Sequence, residues 1–299
     1  MNLARHGRYG YQPITERQTF TWPEGRRLAV YVAINVETFS FGSGLGAKLA
    51  PGGSEPDILN YAWRDYGNRV GVFRMIELLD ELGWPASVLV NSAIYDEAPA
   101  IMAAFRRRGD EVVGHGRTNS ERQGDLDEAA EAALIAEATA TIVAHENTPP
   151  AGWLGPWISE SAVTPDLLKE AGYQYLLDWC HDDQPIWFAT RAGPILSVPY
   201  PQEVNDIPMI VARQLDGPAF ADMIVDDFEE RLAQSARQPI VMGIALHPYI
   251  VGQPHRMRHL RRALTAIAAR GTDDVWITTA GAIARHFAQA VPQPSSSPR

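Results

Sequence analysis

LAVYVAINVETF, residues 28–39, joins an almost unbroken apolar run to a carboxylate at Glu37. No polar side chain alternates through its first seven positions, so the strand it predicts is covered on both faces, as in a parallel sheet flanked by helices. Short runs of the same kind follow: ASVLVN (86–91), DEVVGH (110–115), YQYLLD (173–178), ILSVPY (195–200), IVMGIALH (240–247) and VWITT (275–279). Between many of them lie segments of helical period, at 70–83, 99–109, 126–146, 164–172, 220–237 and 255–271. Gly83, Gly109, Gly172 and Gly271 stand where helices should end, and Asp125 and Thr164 where helices should begin. The alternation predicts an α/β fold of about seven β/α units closed into a distorted (β/α) barrel. A doubly wound open sheet is the runner-up, but no GxGxxG follows a strand.

Outside that core, residues 1–25 read as an N-terminal arm, 26–289 as a single domain, and 290–299 as a disordered tail ending in PQPSSSPR. Residues 40–68 form a Gly/Pro-containing loop longer than an ordinary connection. The 299 residues are 45% apolar, enough for a sizeable core, and carry a net charge of −10. That charge argues against nucleic acid or an anionic membrane as partner. The N-terminus lacks an apolar leader, so a cytoplasmic location is expected. The single cysteine, Cys180, excludes an internal disulfide and any Cys-rich metal site, and reads as a small packed residue.

Chemistry in parallel β/α proteins gathers at the C-terminal ends of strands. Here those ends deliver Asn35 and Glu37, then His115 and Asn119, then Asp178 with Asp182 just beyond, and finally His247. Any one of these also has a plain structural reading, as a satisfied histidine or a capping aspartate. Glu37 is the hardest to explain that way, because an unpaired carboxylate is costly to desolvate. Together the set supplies what amide hydrolysis needs: a carboxylate to orient or deprotonate water, and a histidine to protonate the leaving nitrogen. A second carboxylate, Asp178 or Asp182, would hold that histidine in one tautomer. Arg69 suits a planar carbonyl or carboxylate, and Trp153, Trp157 and Trp179 are candidates to wall a pocket, although tryptophan in a core is equally ordinary. His255 and His259 share a helix face within an Arg-laden run and read as a solvated basic surface. HExxH, a P-loop and GxSxG are absent.

The order of these motifs resembles the NodB-homology polysaccharide deacetylase superfamily over roughly residues 25–288: INVETF (34–39), GHGRTN (114–119), GWLGPW (152–157), LLDWCHDDQPIW (176–187) and IALHPY (244–249). DYGNRVGVFR (65–74), DDQPIW (182–187), VPYPQEVND (198–206) and LHPYIVGQPHR (246–256) are similar to the metal-independent allantoinases and related cytosolic deacetylase-like proteins. The resemblance implies a carbon–nitrogen hydrolase and a homo-oligomer whose arms and loops cross between subunits. It also implies a zinc-type site at Glu37, His115 and Asn119. Two departures stand out. Asn35 occupies the place of the deacetylase aspartate base, and an amide cannot take a proton; Leu154 lies near the place of the motif-three arginine. Ring opening of a small cyclic amide, imide or ureide is therefore the expected reaction. A metal-dependent de-N-acetylase of an amino sugar and a non-catalytic small-molecule binder are the alternatives.

Overall fold

A computed structural model describes residues 3–48, 54–270 and 273–293. Among the described residues nine strands form one sheet: β1 (Leu28–Val36), β2 (Ala86–Val90), β3 (Glu111–Gly114), β4 (Gly152–Trp153), β5 (Tyr175–Leu176), β6 (Ile186–Phe188), β7 (Ile195–Ser197), β8 (Ile240–Leu246) and β9 (Val275–Thr278). Their order is β6-β7-β5-β4-β3-β2-β1-β8, and all pairs are parallel except β6–β7. The first half of β1 pairs with β9 and its second half with β2, while β8 runs along its other edge. All nine β1 residues are buried, which is why the run 28–36 carries no alternation. The sheet curls into a distorted half-barrel with helices packed around it, and the parallel register brings the C-terminal ends of β1, β2, β3 and β8 to one rim.

The helices expected at 70–83, 99–109, 126–146, 164–172, 220–237 and 255–271 are all present. Gly83 and Gly109 take the left-handed conformation that ends their helices. The predicted caps shift: Asp127, not Asp125, accepts from the Ala130 amide, and Val163 precedes a helix in which Thr164 is the first residue. Gly271 and the tail beyond residue 293 lie outside the described residues. The strand count also rises, because β4 and β6 are too short to announce themselves in sequence. Part of the expected long loop is a helix, Ile58–Tyr66, capped by the Asp57 carboxylate.

The arm lies against its own barrel. Arg8 forms a bidentate pair with Asp166 at 2.9 and 2.7 Å, Tyr9 stacks on His181 and Phe188, and Trp22 is buried beneath the sheet edge. Cys180 is exposed rather than packed. No described helix is long and apolar enough to cross a membrane.

The two motifs DYGNRVG and LHPYIVG interlock. Residues Gly67–Gly71 widen into a π-helical turn ahead of the helix Val72–Leu82, and that turn packs on the short helix Pro248–Val251 that follows β8. A Cβ at Gly67 would lie 2.5 Å from the Tyr249 amide nitrogen, and one at Gly71 only 2.1 Å from the Pro248 carbonyl oxygen. Only glycine allows the two backbones so close.

Candidate active site

Glu37, one residue past β1, is the centre of the rim. It is buried, its carbonyl oxygen accepts from Asn68 Nδ2 at 2.8 Å, and its Oε1 accepts from Asn119 Nδ2 at 2.6 Å. The same Oε1 lies 3.6 Å from His115 Nε2 and 3.5 Å from His247 Nε2. Four of the residues expected at strand ends, Glu37, His115, Asn119 and His247, thus meet around one oxygen. Asn35 sits just beneath, donating to Tyr200 Oη at 3.1 Å and to the Leu246 carbonyl at 3.3 Å.

The orientation of Asn119 follows from two unambiguous backbone groups. The Thr38 N–H donates to Asn91 Oδ1 at 2.9 Å, so the other end of Asn91 must be its NH2, which reaches the His115 carbonyl. That NH2 also donates to Asn119 Oδ1 at 3.0 Å. Asn119 is left presenting its own NH2 to Glu37, and an NH2 group is no metal ligand. The expected set Glu37, His115 and Asn119 is therefore reduced to two donors, one short of the three protein ligands of a catalytic zinc. Among the described residues no group of three His, Cys, Asp or Glu is disposed to hold a metal ion. The residues present do not fit a resident zinc.

The two histidines are held in opposite senses. His115 Nδ1 lies 2.7 Å from the Leu154 carbonyl oxygen, which can only accept, so Nδ1 carries the hydrogen and Nε2 of the neutral ring is an acceptor. That Nε2 and Glu37 Oε2 are both buried without a protein partner. His247 instead has Nδ1 at 2.6 Å from Asp206 Oδ1, while its backbone N–H donates to Asp206 Oδ2 at 2.8 Å. Burial lowers the His247 pKa, but the charges of Asp206 and Glu37 outweigh it and lift the imidazole to about 9. Burial likewise raises the Glu37 pKa, and the charge of the His247 ring, the largest opposing cause, holds the carboxyl well below its ordinary range. At neutral pH the rim pairs an ionised Glu37 with a protonated His247.

Asp206 is the residue that the strand-end rule misses. It lies between β7 and β8, in a segment attached to β8 by the Asn205–Ala245 bridge and by the Ala245 N–H donating to the Val204 carbonyl. The expectation that Asp178 or Asp182 orients His247 is corrected on both counts. Asp182 forms a bidentate pair with Arg17 of the arm, at 2.7 and 2.5 Å. Asp178 Oδ1 accepts from the Gly155 N–H at 2.7 Å, and its carboxyl is pushed well up by burial and by the neighbouring Glu160. A structural Asp178 whose charged form is disfavoured by burial and by Glu160 should tolerate an amide in its place. Asp178→Asn is expected to keep turnover within about threefold of wild type, since no charge near the reacting atoms changes; a loss of a hundredfold in an assay of initial rates would return Asp178 to the machinery.

The aromatic candidates divide. Trp153 is fully buried beneath the helix Glu128–Glu146, its indole N–H donating to Gln123 Oε1 at 3.0 Å, so it cannot touch a substrate. Trp179 packs with Tyr9 and Phe188 and donates to Glu160 Oε2 at 2.6 Å, away from Glu37. Trp157 does reach the site. It is 40% exposed, adopts a left-handed φ of 67°, and donates to the Asn119 carbonyl at 2.9 Å. A tryptophan held there carries about 1–3 kcal/mol of backbone strain, which the surrounding contacts must offset.

A cavity of about 330 Å³ opens above Glu37, lined also by Thr38, Phe39, Tyr61, Arg64 and Asn68. Arg69 stands at its edge, three-quarters exposed and paired with Asp65 at 2.5 Å, so the expected substrate-binding arginine is a mouth residue already engaged. Asn68, Asn91 and Arg64 were not legible as site residues. Asn68 lies within the DYGNRVG motif, but neither asparagine ends a strand in a way that distinguishes it from a cap.

No family model and no curated protein matches this sequence. Solved structures do. PuuE allantoinase superposes over 91% of this chain and 94% of its own, with a TM-score of 0.81 and 26% identity. A probable polysaccharide deacetylase from Pseudomonas aeruginosa PAO1 covers 91% and 95%, with a TM-score of 0.79 and 25% identity. The chain belongs to the NodB-type polysaccharide deacetylase superfamily. A third structure, from Mycobacterium smegmatis, covers 95% and 98% with a TM-score of 0.76, and at 21% identity it attests the fold of this superfamily alone. The NodB-type motif order read from the sequence and the half-barrel seen here agree. The metal donor set is where this NodB-type rim departs from the one implied for zinc.

Proposed function

We propose that this protein hydrolyses a carbon–nitrogen amide bond in a small cyclic amide, imide or ureide, using water activated without a resident zinc. The observation that carries the reading is the pair of buried, unpartnered acceptors, Glu37 Oε2 and His115 Nε2, beside a protonated His247. A water donating to both acceptors turns its lone pair outward, towards a carbonyl carbon entering from the cavity. As the water oxygen bonds to that carbon, its proton passes to Glu37 or His115. The C–N bond then breaks, and His247 Nε2–H supplies the proton to the departing nitrogen while Asp206 stabilises the imidazolium. Asn35 takes no proton, since an amide is not a base, and its NH2 serves only to donate to Leu246 and Tyr200. The roughly 330 Å³ cavity is in the range of small-molecule sites. The allantoinase likeness supports a ring substrate, and the deacetylase likeness supports the wider class of amide hydrolysis.

The test is a turnover screen with hydantoin, allantoin, succinimide, glutarimide and N-acetylglucosamine oligomers, with and without chelator. Ring opening of a cyclic substrate that survives chelation is the expected result, and Glu37→Gln should reduce it by about 10²–10⁴-fold. Chelator-sensitive release of acetate from the oligomers alone would replace this reading with the metal-dependent deacetylase.

A further inference from the structure

Arg64 is a buried cation without a counter-charge. It projects from the helix Ile58–Tyr66 into the wall of the cavity and is only 9% exposed. Its Nη1 has no hydrogen-bond partner, and no carboxylate among the described residues forms an ion pair with it. The group is nonetheless carefully placed. Its Nε donates to Asn60 Oδ1 at 3.3 Å, and Asn60 is itself anchored by donating to the Gly46 carbonyl at 2.8 Å. The guanidinium carbon stands 3.7 Å over the Phe39 ring, with Tyr249 at 5.7 Å and Trp157 at 6.0 Å. Gly46, at φ 69°, passes so near that a Cβ there would lie 2.5 Å from Nη1.

Aromatic faces return only part of the solvation a guanidinium loses on burial. An anion bound from the cavity supplies the rest, and a planar guanidinium matches a carboxylate through two parallel hydrogen bonds. Glu37 on the cavity floor is already balanced by His247, and Arg69 at the mouth by Asp65. Of the charges lining this cavity that are unpaired among the described residues, Arg64 is the buried one, whereas Glu97 is exposed to solvent.

We propose that Arg64 recognises a carboxylate on the substrate, so that the ring acted upon belongs to an anionic, carboxylate-bearing cyclic amide or ureide. The substrate class rests on the hydrolase reading above, while the anion site stands on Arg64 alone.

Hydantoin-5-acetate and hydantoin-5-acetamide share a shape and differ in charge, and their binding can be measured by calorimetry without turnover. Wild type is expected to bind the acetate about 30-fold more tightly, the size of a charge-assisted contact. Arg64→Gln should abolish the preference by weakening the acetate and leaving the acetamide within about threefold. Arg64→Lys, which keeps the charge and loses the fork, should retain part of it. Equal binding of both probes to wild type, binding of neither, or equal weakening of both in the folded variants would overturn the proposal. A preference that persists while neither ring is opened would overturn the hydrolase reading and leave the anion site standing.

Discussion

Replacing His247 with alanine is expected to lower kcat by about 10³-fold while KM moves only a few-fold, because the lost proton donor acts on the leaving nitrogen in the transition state. The companion measurement is a pH profile. His247 works as an acid, so kcat/KM should be level through neutral pH and fall above about 9, where the imidazole loses its proton. Asp206→Asn removes a charge that opposes the effect of burial, so the alkaline limb should move to lower pH and kcat should drop by about 10²–10⁴-fold. An alanine variant at position 247 with near-native turnover, or an alkaline limb unmoved in Asp206→Asn, would refute the assignment. The same proton links to stability. Folded His247 holds its proton up to pH about 9, whereas an unfolded histidine releases it near 6.5. The stabilisation is therefore complete below pH 6.5 and lost as pH rises through 9, and the melting temperature should decline over that window less steeply in His247→Ala.

Gly71→Ala should be strongly damaging although it adds a single methyl outside the site. The new Cβ would stand 2.1 Å from the Pro248 carbonyl oxygen, and its neighbour there, Gly252, already brings a would-be Cβ to 2.5 Å from Gly71 Cα. No flexible side chain can give way, since backbone faces backbone. Separating the π-turn from the short helix costs about 2–4 kcal/mol, which corresponds to roughly 5–15 °C in melting temperature for a domain of this size. It would also move Pro248, the residue after His247, so kcat should fall by about tenfold or more in protein that remains folded. Thermal unfolding followed by circular dichroism decides it: an unchanged midpoint would mean that the two motifs are not packed as described. The association of DYGNRVG with LHPYIVG, at first a matter of resemblance, thus has a mechanical reason.

Much of the site could be read from the chain because a parallel strand has one end that matters. Glu37, His115 and His247 each follow a buried apolar run directly, and backbone register carries them to a common rim whatever the loops do. Asp178 satisfied the same rule and failed, because strand ends do not reveal which groups pair. The Asp178 carboxylate is taken by the Gly155 N–H just past β4, whereas the His247 imidazole finds Asp206. Asp206 ends no strand, and only the long-range bridge to β8 brings it beneath the imidazole. Trp153 and Trp157 are four residues apart, yet one is core and the other is half-exposed against the Asn119 carbonyl, a choice made by a left-handed turn at a non-glycine residue.

The sequence by itself determined the α/β class, the motif order of the NodB-type superfamily, and four of the groups gathered at the centre. These depend on local apolar periodicity and on which residue follows a strand, properties that survive without knowledge of distant contacts. Only the tertiary structure decided the protonation pattern of the rim. It turned the Asn119 NH2 to Glu37 through Asn91 and Thr38, gave His247 its carboxylate in Asp206, and buried Arg64 without an ion-pairing carboxylate among the described residues. Those choices rest on hydrogen bonds and charges between residues far apart in the chain, where energy depends on distance and burial and no spacing in the sequence encodes it.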